Sequence, residues 1–223
     1  MKYVQDKLFK NMKALKTIIV ALSILWTGPA FAQHELSASD KEALQERVMD
    51  KVMEFQNHLQ NIVKKDELTT LQRENEIKAS LVLFIGNGER YKVINSDGVE
   101  ENRSAVRMQL SSLNRSVNRW ITMKSYLRNL FNNVHRYVKV VIQEADAIRV
   151  DNINHVSGDN YEAMAYFAQK FIGFRDGKVV YGDITTKKIK VYIKALEVPG
   201  GVIWDAKLGD VYVTSTNPLG NGQ

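Results

Sequence analysis

Apolar residues in this chain recur first at helical and then at strand spacing. Leu44, Val48, Val52, Phe55, Leu59 and Ile62 follow one another at steps of three and four. That spacing puts them on one stripe of a long helix, with Lys, Glu and Gln opposite. Met49 and Met53 are expected to widen the stripe. Ser39 and Glu42 have the spacing of a capping box at its start, in which each side chain satisfies a free backbone N–H of the first turn. A second helix is predicted after Lys64-Lys65-Asp66. Thr69 and Gln72 suggest its cap, and Leu71, Ile77, Leu81, Phe84 and Ile85 supply its apolar positions. Gly86-Asn87-Gly88 ends it, because these residues tolerate the left-handed backbone of a helix stop.

From Arg90 the period falls to two. Tyr91 and Val93 alternate with polar neighbours before a turn at Ser96-Asp97-Gly98, and Val106, Met108 and Leu110 alternate with Arg107, Gln109 and Ser111. Thr122 opens a short third helix carrying Met123, Tyr126, Leu127, Leu130 and Phe131, and Asn132-Asn133 closes it. The remainder reads as antiparallel strands over about 137–150, 161–174, 179–181 continuing into 184–198, and 202–216. Turns are predicted at 157–160, 175–177 and 199–201. Segment 161–174 carries both periods: Met164, Phe167, Phe171 and Ile172 would also form a helical stripe. Flanking turns and aromatic content favour strand, with helix as the alternative.

Two strands have further detail. Lys188, Lys190, Tyr192 and Lys194 oppose Ile189, Val191 and Ile193. Such a lysine row is a solvated face, protection against edge-to-edge pairing, or a docking edge for a partner. In the last strand Trp204, Ala206 and Leu208 share one phase, whereas Val211 and Val213 share the other. The switch predicts a β-bulge at Leu208-Gly209-Asp210, which would bend the strand.

Before these elements, residues 1–32 hold five lysines and one acid, Asp6. The stretch after Lys16 is mostly apolar and uncharged, and it ends at Ala30-Phe31-Ala32. This is the pattern of a cleavable export signal, too short in its uncharged part for a membrane span. Met12 would also begin a signal of ordinary length. The expected organisation is a signal over 1–32, one α+β domain over 33–216 and a flexible tail over 217–223. The chain has 31 basic and 25 acidic residues, formally +6. Removing the leader's five lysines and one aspartate leaves 26 against 24, or +2. Most of the basicity therefore leaves with the signal, and a nucleic-acid partner is not expected. Cysteine is absent, which excludes disulfides, thiolate chemistry and a lipidated cysteine anchor. The expected location is the periplasm or beyond, with no membrane span after cleavage.

Two N-terminal helices, a strand pair, a third helix and a long antiparallel meander form an order that resembles the NTF2-like superfamily, over about 39–216. The likeness lies in element order, not in a signature motif, and is greatest to secreted bacterial members. It implies a curved sheet wrapped around helices as a cone, often with a pocket at its mouth and often dimeric through the sheet. Members include isomerases, dehydratases and non-catalytic modules, so the fold does not choose an activity.

Candidate chemistry is sparse. Glu144 and Asp146 share a face with Val138, Val140, Ile142, Ile148 and Val150 if the strand alternates regularly. Two acids on an apolar face would have raised pKa values and serve as acid or base; a bulge or edge there would instead let both reach water. His135 follows the third helix, within reach of an expected pocket mouth, whereas His34, His58 and His155 suggest no cluster. Arg119 and Trp120, with Arg115, form a basic-aromatic group, and Tyr166 and Trp204 are candidate pocket-lining aromatics. No zinc motif or Gly-x-Ser-x-Gly elbow occurs, and Ile153 breaks the calcium-loop pattern of residues 151–154. No metal and no cofactor is expected. These features favour an exported, non-catalytic module that binds a small ligand or an envelope protein. The alternative is a small acid/base enzyme using Glu144 or Asp146.

Overall fold

A computed structural model describes residues 36–114, 117–132, 139–199 and 201–219, without the side chains of 139, 140 and 143–145. The expected leader, Arg115 and His135 lie outside the described residues. The unit from Glu35 onward is described by itself. It is an α+β domain of three helices packed against a large mixed sheet.

Helix α1 spans Ala38–Val63 and buries the whole expected stripe, from Leu44 to Ile62. Its cap differs from expectation. Ser37 Oγ accepts the Asp40 N–H at 3.1 Å, and Asp40 Oδ2 accepts the Ser37 N–H at 3.2 Å. Ser37/Asp40 and Ser39/Glu42 have the same box spacing, and the upstream pair wins because it adds a half-turn to the helix. Met53 does not widen the buried stripe, since it is 44% exposed; Gln56 is buried in its place.

Helix α2 spans Thr70–Val82 under the expected Thr69/Gln72 capping box. A 3₁₀ turn at Ile85–Gly88 follows, with Gly86, Asn87 and Gly88 all at positive φ. Leu71 is exposed, and the less obvious Arg73 is buried instead. Its Nε–H donates to Ile62 O at 2.6 Å and its Nη2 to Phe131 O at 2.7 Å, while the guanidinium stacks 4.4 Å from the Phe131 ring. Arg73 thus satisfies carbonyls at the C-terminal ends of α1 and of α3 (Met123–Phe131), where helices leave acceptors unpaired and carry partial negative charge. His58 Nδ1 meets Glu76 Oε2 at 2.5 Å, a second tie between α1 and α2.

Strands β1 (Tyr91–Ile94) and β2 (Glu100–Arg103) form a separate hairpin. The main sheet runs in the order β4 (Arg119–Thr122), β3 (Arg107–Leu110), β9 (Gly201–Pro218), β8 (Lys178–Val198), β7 (Asn160–Arg175) and β5 (Lys139–Val150), with β6 (Asn154–Ser157) also paired to β7. Its long members are β5, β7, β8 and β9. Segment 161–174 is therefore strand, and β9 runs two residues past the expected end at Thr216. The expected all-antiparallel sheet is mixed, because β3 (Arg107–Leu110) joins β9 in parallel at Met108–Val211. Residues 119–122, β4, pair with β3. The lysine-bearing strand β8 is not a docking edge. It lies between β7 and β9, with Lys190 Nζ 2.7 Å from Glu162 and Lys188 over the Tyr212 ring.

The expected bulge in β9 is present. Ile189 pairs with Val211 and Val191 with Leu208, so Gly209 and Asp210 together face Lys190. A Cβ on Gly209 would stand 2.7 Å from the Tyr192 ring and 3.2 Å from Lys190 O, so glycine is required there. Asp210 accepts the Arg107 backbone N–H at 2.7 Å and meets its guanidinium at 3.1 Å, which holds β3 to β9 where ladder pairing is sparse.

The core lies between the helices and the inward face of the sheet. Phe55 of α1 meets Phe84 and Phe167 edge-on, with ring centroids 5.0 and 6.4 Å away. Replacing Arg73 by Ala leaves two helix-end carbonyls without their donor and removes the stack on Phe131. We expect a loss of about 2–4 kcal/mol in urea unfolding, partly recovered by Arg73→Lys.

Candidate functional site

The inward face of β7, β8 and β9 changes character along its length. Ala163, Val191 and Leu208 form one row across the strands, and Ala165, Ile189 and Val211 the next. All six are at most 4% exposed. The following rows are Phe167, Lys187 and Val213, then Gln169, Thr185 and Thr216, then Phe171 and Asp183. One wall thus runs from wholly apolar to polar while staying buried: Gln169, Asp183, Thr185 and Lys187 are each 4–7% exposed.

These polar rows line a pocket of about 260 Å³. Tyr126 and Leu130 of α3 close one side, and residues 109–112 of β3 and its continuation close another. Helix α3 presents Tyr126 inward because Met123, Tyr126, Leu127 and Leu130 share its buried face under the Thr122 cap.

Lys187 Nζ donates to Gln169 Oε1 and lies 5.8 Å from the centre of the Tyr126 ring and 6.0 Å from that of Phe167. The ammonium is therefore held by one amide oxygen and two aromatic faces. Burial pushes its pKa down to about 8, against a smaller opposing pull from Asp183. Asp183 is pushed the other way. Burial raises its pKa, and the hydrogen bonds from Tyr181 and Thr185, with the Lys187 charge, only partly offset this. The Tyr181 hydroxyl donates to Asp183 Oδ2 and accepts the Leu113 N–H at 3.3 Å, with Ser112 Oγ 3.3 Å away. Thr185 Oγ1 lies 3.3 Å from Asp183 Oδ1.

The amide of Gln169 is used on one side only. Its Nε2 is buried with no hydrogen bond of regular length and angle. It makes a poorly aligned contact with the Tyr126 hydroxyl, which opposes in small part the rise that burial imposes on that phenol. A buried donor so poorly paired keeps part of a desolvation cost that is roughly 1–3 kcal/mol when no acceptor is met. The pocket therefore combines a desolvated cation, an under-satisfied amide donor and a carboxyl group displaced toward its protonated form. Such a set can bind a polar group of a small ligand and can exchange protons with it near neutral pH. Among the described residues no three His, Cys, Asp or Glu side chains form a metal-sized cluster.

Of the residues expected from the sequence, Asp146, Tyr166, Trp120, Trp204 and Arg119 do not line this pocket, and the side chain of Glu144 lies outside the described residues. The ladder of β5 shifts register between Glu144 and Asp146 and again before Arg149, so the alternation that put both acids on the inner face is broken. Asp146 is exposed and its Oδ1 accepts the Ala147 N–H at 2.8 Å. The backbone of Glu144 pairs with that of Gln169, which places it at a register position beside a pocket residue. Tyr166 lies on the outer face under the Arg149 guanidinium, 4.5 Å from the ring centre. Trp204 packs on Tyr161 at 5.4 Å, and Trp120 packs on Tyr212 at 5.2 Å with Arg107 over it; Arg119 is exposed. None of these four lines the pocket.

No family model matches the chain, and no curated protein matches it in sequence. Among solved structures it is similar to the Putative Scytalone Dehydratase of Novosphingobium aromaticivorans, at 13% identity and a TM-score of 0.37, covering 83% of this chain and 99% of that one. It is also similar to a protein of Kribbella flavida, at 11% identity and a TM-score of 0.33, covering 77% and 94%. Likenesses at these scores transfer no activity.

The displaced lysine gives a signed prediction. Between about pH 8 and the ordinary lysine value of 10.5 the unfolded chain binds a proton at Lys187 that the folded chain does not. Stability therefore rises with pH across that window, and the full penalty of the buried charge is felt below it. Relative to Lys187→Met, the wild type should gain on the order of 2 kcal/mol between about pH 7.5 and 10. Parallel urea titrations at the two pH values measure this; a constant gap would mean the amine is not desolvated.

Proposed function

We propose that this chain is an exported NTF2-like domain that binds a small polar ligand in the pocket bounded by Tyr126, Gln169, Asp183 and Lys187. One observation carries the reading: a buried ammonium and an under-satisfied amide donor sit side by side on the polar stretch of a sheet face whose neighbouring rows are wholly apolar. Apolar replacements there would cost the fold less, since a buried charge is a poor source of stability. The NTF2-like assignment is supported by the element order and by three helices packed against a large mixed sheet. Export is supported by the basic, then apolar leader that ends at Ala30-Phe31-Ala32.

A second reading, an acid/base enzyme, is favoured by a specific feature of the same pocket. Burial moves Asp183 upward and Lys187 downward, so the two groups approach the neutral range from opposite sides. In this reading the acid/base pair is Asp183 and Lys187, and Asp146 has no part in it.

A thermal-shift screen of small carboxylates, alcohols and carbonyl compounds tests the binding reading. A true ligand should raise the melting temperature saturably, and Gln169→Leu and Lys187→Met should each reduce its affinity at least tenfold. Ligands that act equally on wild type and both variants would place binding elsewhere. Cell fractionation with N-terminal sequencing tests export, with Gln33 the expected first residue of the exported form; a chain retaining its leader in the cytoplasm would refute it.

A further inference from the structure

We propose that Lys187 is a carbonyl-reactive amine, and that the ligand class of the pocket is a small aldehyde or ketone that forms an imine with it. This rests on the ligand-pocket reading above and gives it a chemistry. Lys187 is 6% exposed, yet its side chain forms part of a pocket wall, so a molecule that enters the pocket meets it. Its neighbours offer Nζ one neutral amide oxygen, from Gln169, and the faces of Tyr126 and Phe167. Among the described residues no carboxylate forms a salt bridge with it, whereas Lys190, on the opposite face, is paired with Glu162. An amine in a buried, weakly paired position is readily deprotonated, and the neutral form is the nucleophile. Burial agrees, leaving the group about half neutral near pH 8.

The remaining wall suits the other half of the reaction. The under-satisfied Gln169 Nε2 is a donor that a carbonyl oxygen would relieve without bringing a second negative charge near Asp183. Asp183 lies on the same strand face beyond Thr185, where its raised pKa makes it a proton carrier.

The step balances as follows. The nitrogen lone pair forms a bond to the carbonyl carbon; Asp183, starting as the neutral acid, gives its proton to the oxygen and takes one back from nitrogen, which leaves a carbinolamine. A second proton from Asp183 lets that oxygen leave as water. The product is a protonated imine facing the Asp183 carboxylate, with nothing oxidised or reduced.

The test uses the purified chain with butyraldehyde and sodium cyanoborohydride at about pH 8. The reductant converts any imine to a stable secondary amine, and peptide mapping by mass spectrometry locates it. Lys187 should be modified at least tenfold faster than exposed Lys178 and Lys194, with a rate that saturates in aldehyde. Lys187→Arg should abolish the fast site and leave the others unchanged. If that variant fails to fold, the ratio of rates within the wild type decides alone. Labelling of Lys187 no faster than of the exposed lysines, or without saturation, overturns the proposal. Butyrate and 1-butanol, which form no imine, are assayed in parallel for thermal stabilisation. Stabilisation by either without an adduct overturns the imine and keeps the pocket; neither stabilisation nor adduct overturns both.

Discussion

The two-for-one pairing of Gly209 and Asp210 against Lys190 sets the geometry on which the pocket depends. Along β9 the inward phase passes through Trp204, Ala206 and Leu208, and without an extra residue it would continue through Asp210 and Tyr212. The bulge resets the phase, so Val211 and Val213 turn inward instead and extend the rows begun by β7 and β8. The same displacement turns Asp210 toward the Arg107 amide and guanidinium, which fixes β3 to its neighbour. Residues 109–112, following from that anchor, close one side of the pocket. One inserted residue thus sets the phase of one wall and the position of another.

With that frame in place, the polarity of the inward rows becomes the informative feature. A sheet face covered by helices is stabilised by apolar burial, at about 25 cal/mol per Å². The rows from Ala163 to Val211 meet that demand; the rows from Phe167 to Asp183 do not, although they remain buried. Arg73 makes a useful contrast. It is also buried and charged, but its donors end on two helix-terminal carbonyls and its plane on Phe131, so its place in the fold is fully accounted for. Lys187 and Gln169 satisfy each other on one side and leave Nε2 of the amide under-satisfied. Such incomplete satisfaction is tolerated where a ligand supplies the missing partner.

Much of the fold was legible in the sequence because its signals were local. The α1 stripe, the Thr69/Gln72 box, the α3 face and the β9 bulge each follow from spacing within one element. The capping box of α1 was misplaced by two residues because two equivalent boxes overlap there. The parallel β3–β9 contact had no local signal, since it joins segments about a hundred residues apart. The site was less legible. Regular alternation put Glu144 and Asp146 on the inner face, but the register shifts of β5 depend on its partner β7 and are not encoded in β5 alone. Lys187 and Asp183 did have a signal. Extending the Ile189, Val191 and Ile193 phase backward brings Lys187, Thr185 and Asp183 inward, ahead of the row Lys188, Lys190 and Lys194. Charge alone made Lys187 resemble its solvent-facing neighbours Lys188 and Lys190.

The arrangement of the two titratable groups says which of these features belong to function. A structural ion pair would place the carboxylate directly against the ammonium, so that each charge lowers the cost of burying the other. Here Thr185 stands between them on the strand, Asp183 takes its hydrogen bonds from Tyr181 and Thr185, and Lys187 gives its own to Gln169. Each group retains a net desolvation penalty, visible as a raised acid and a lowered base. Keeping them apart forgoes stability that a short rearrangement along the same face would recover. Separation leaves room for a ligand between or beside them, in the open space bounded by Tyr126, Leu130 and residues 109–112.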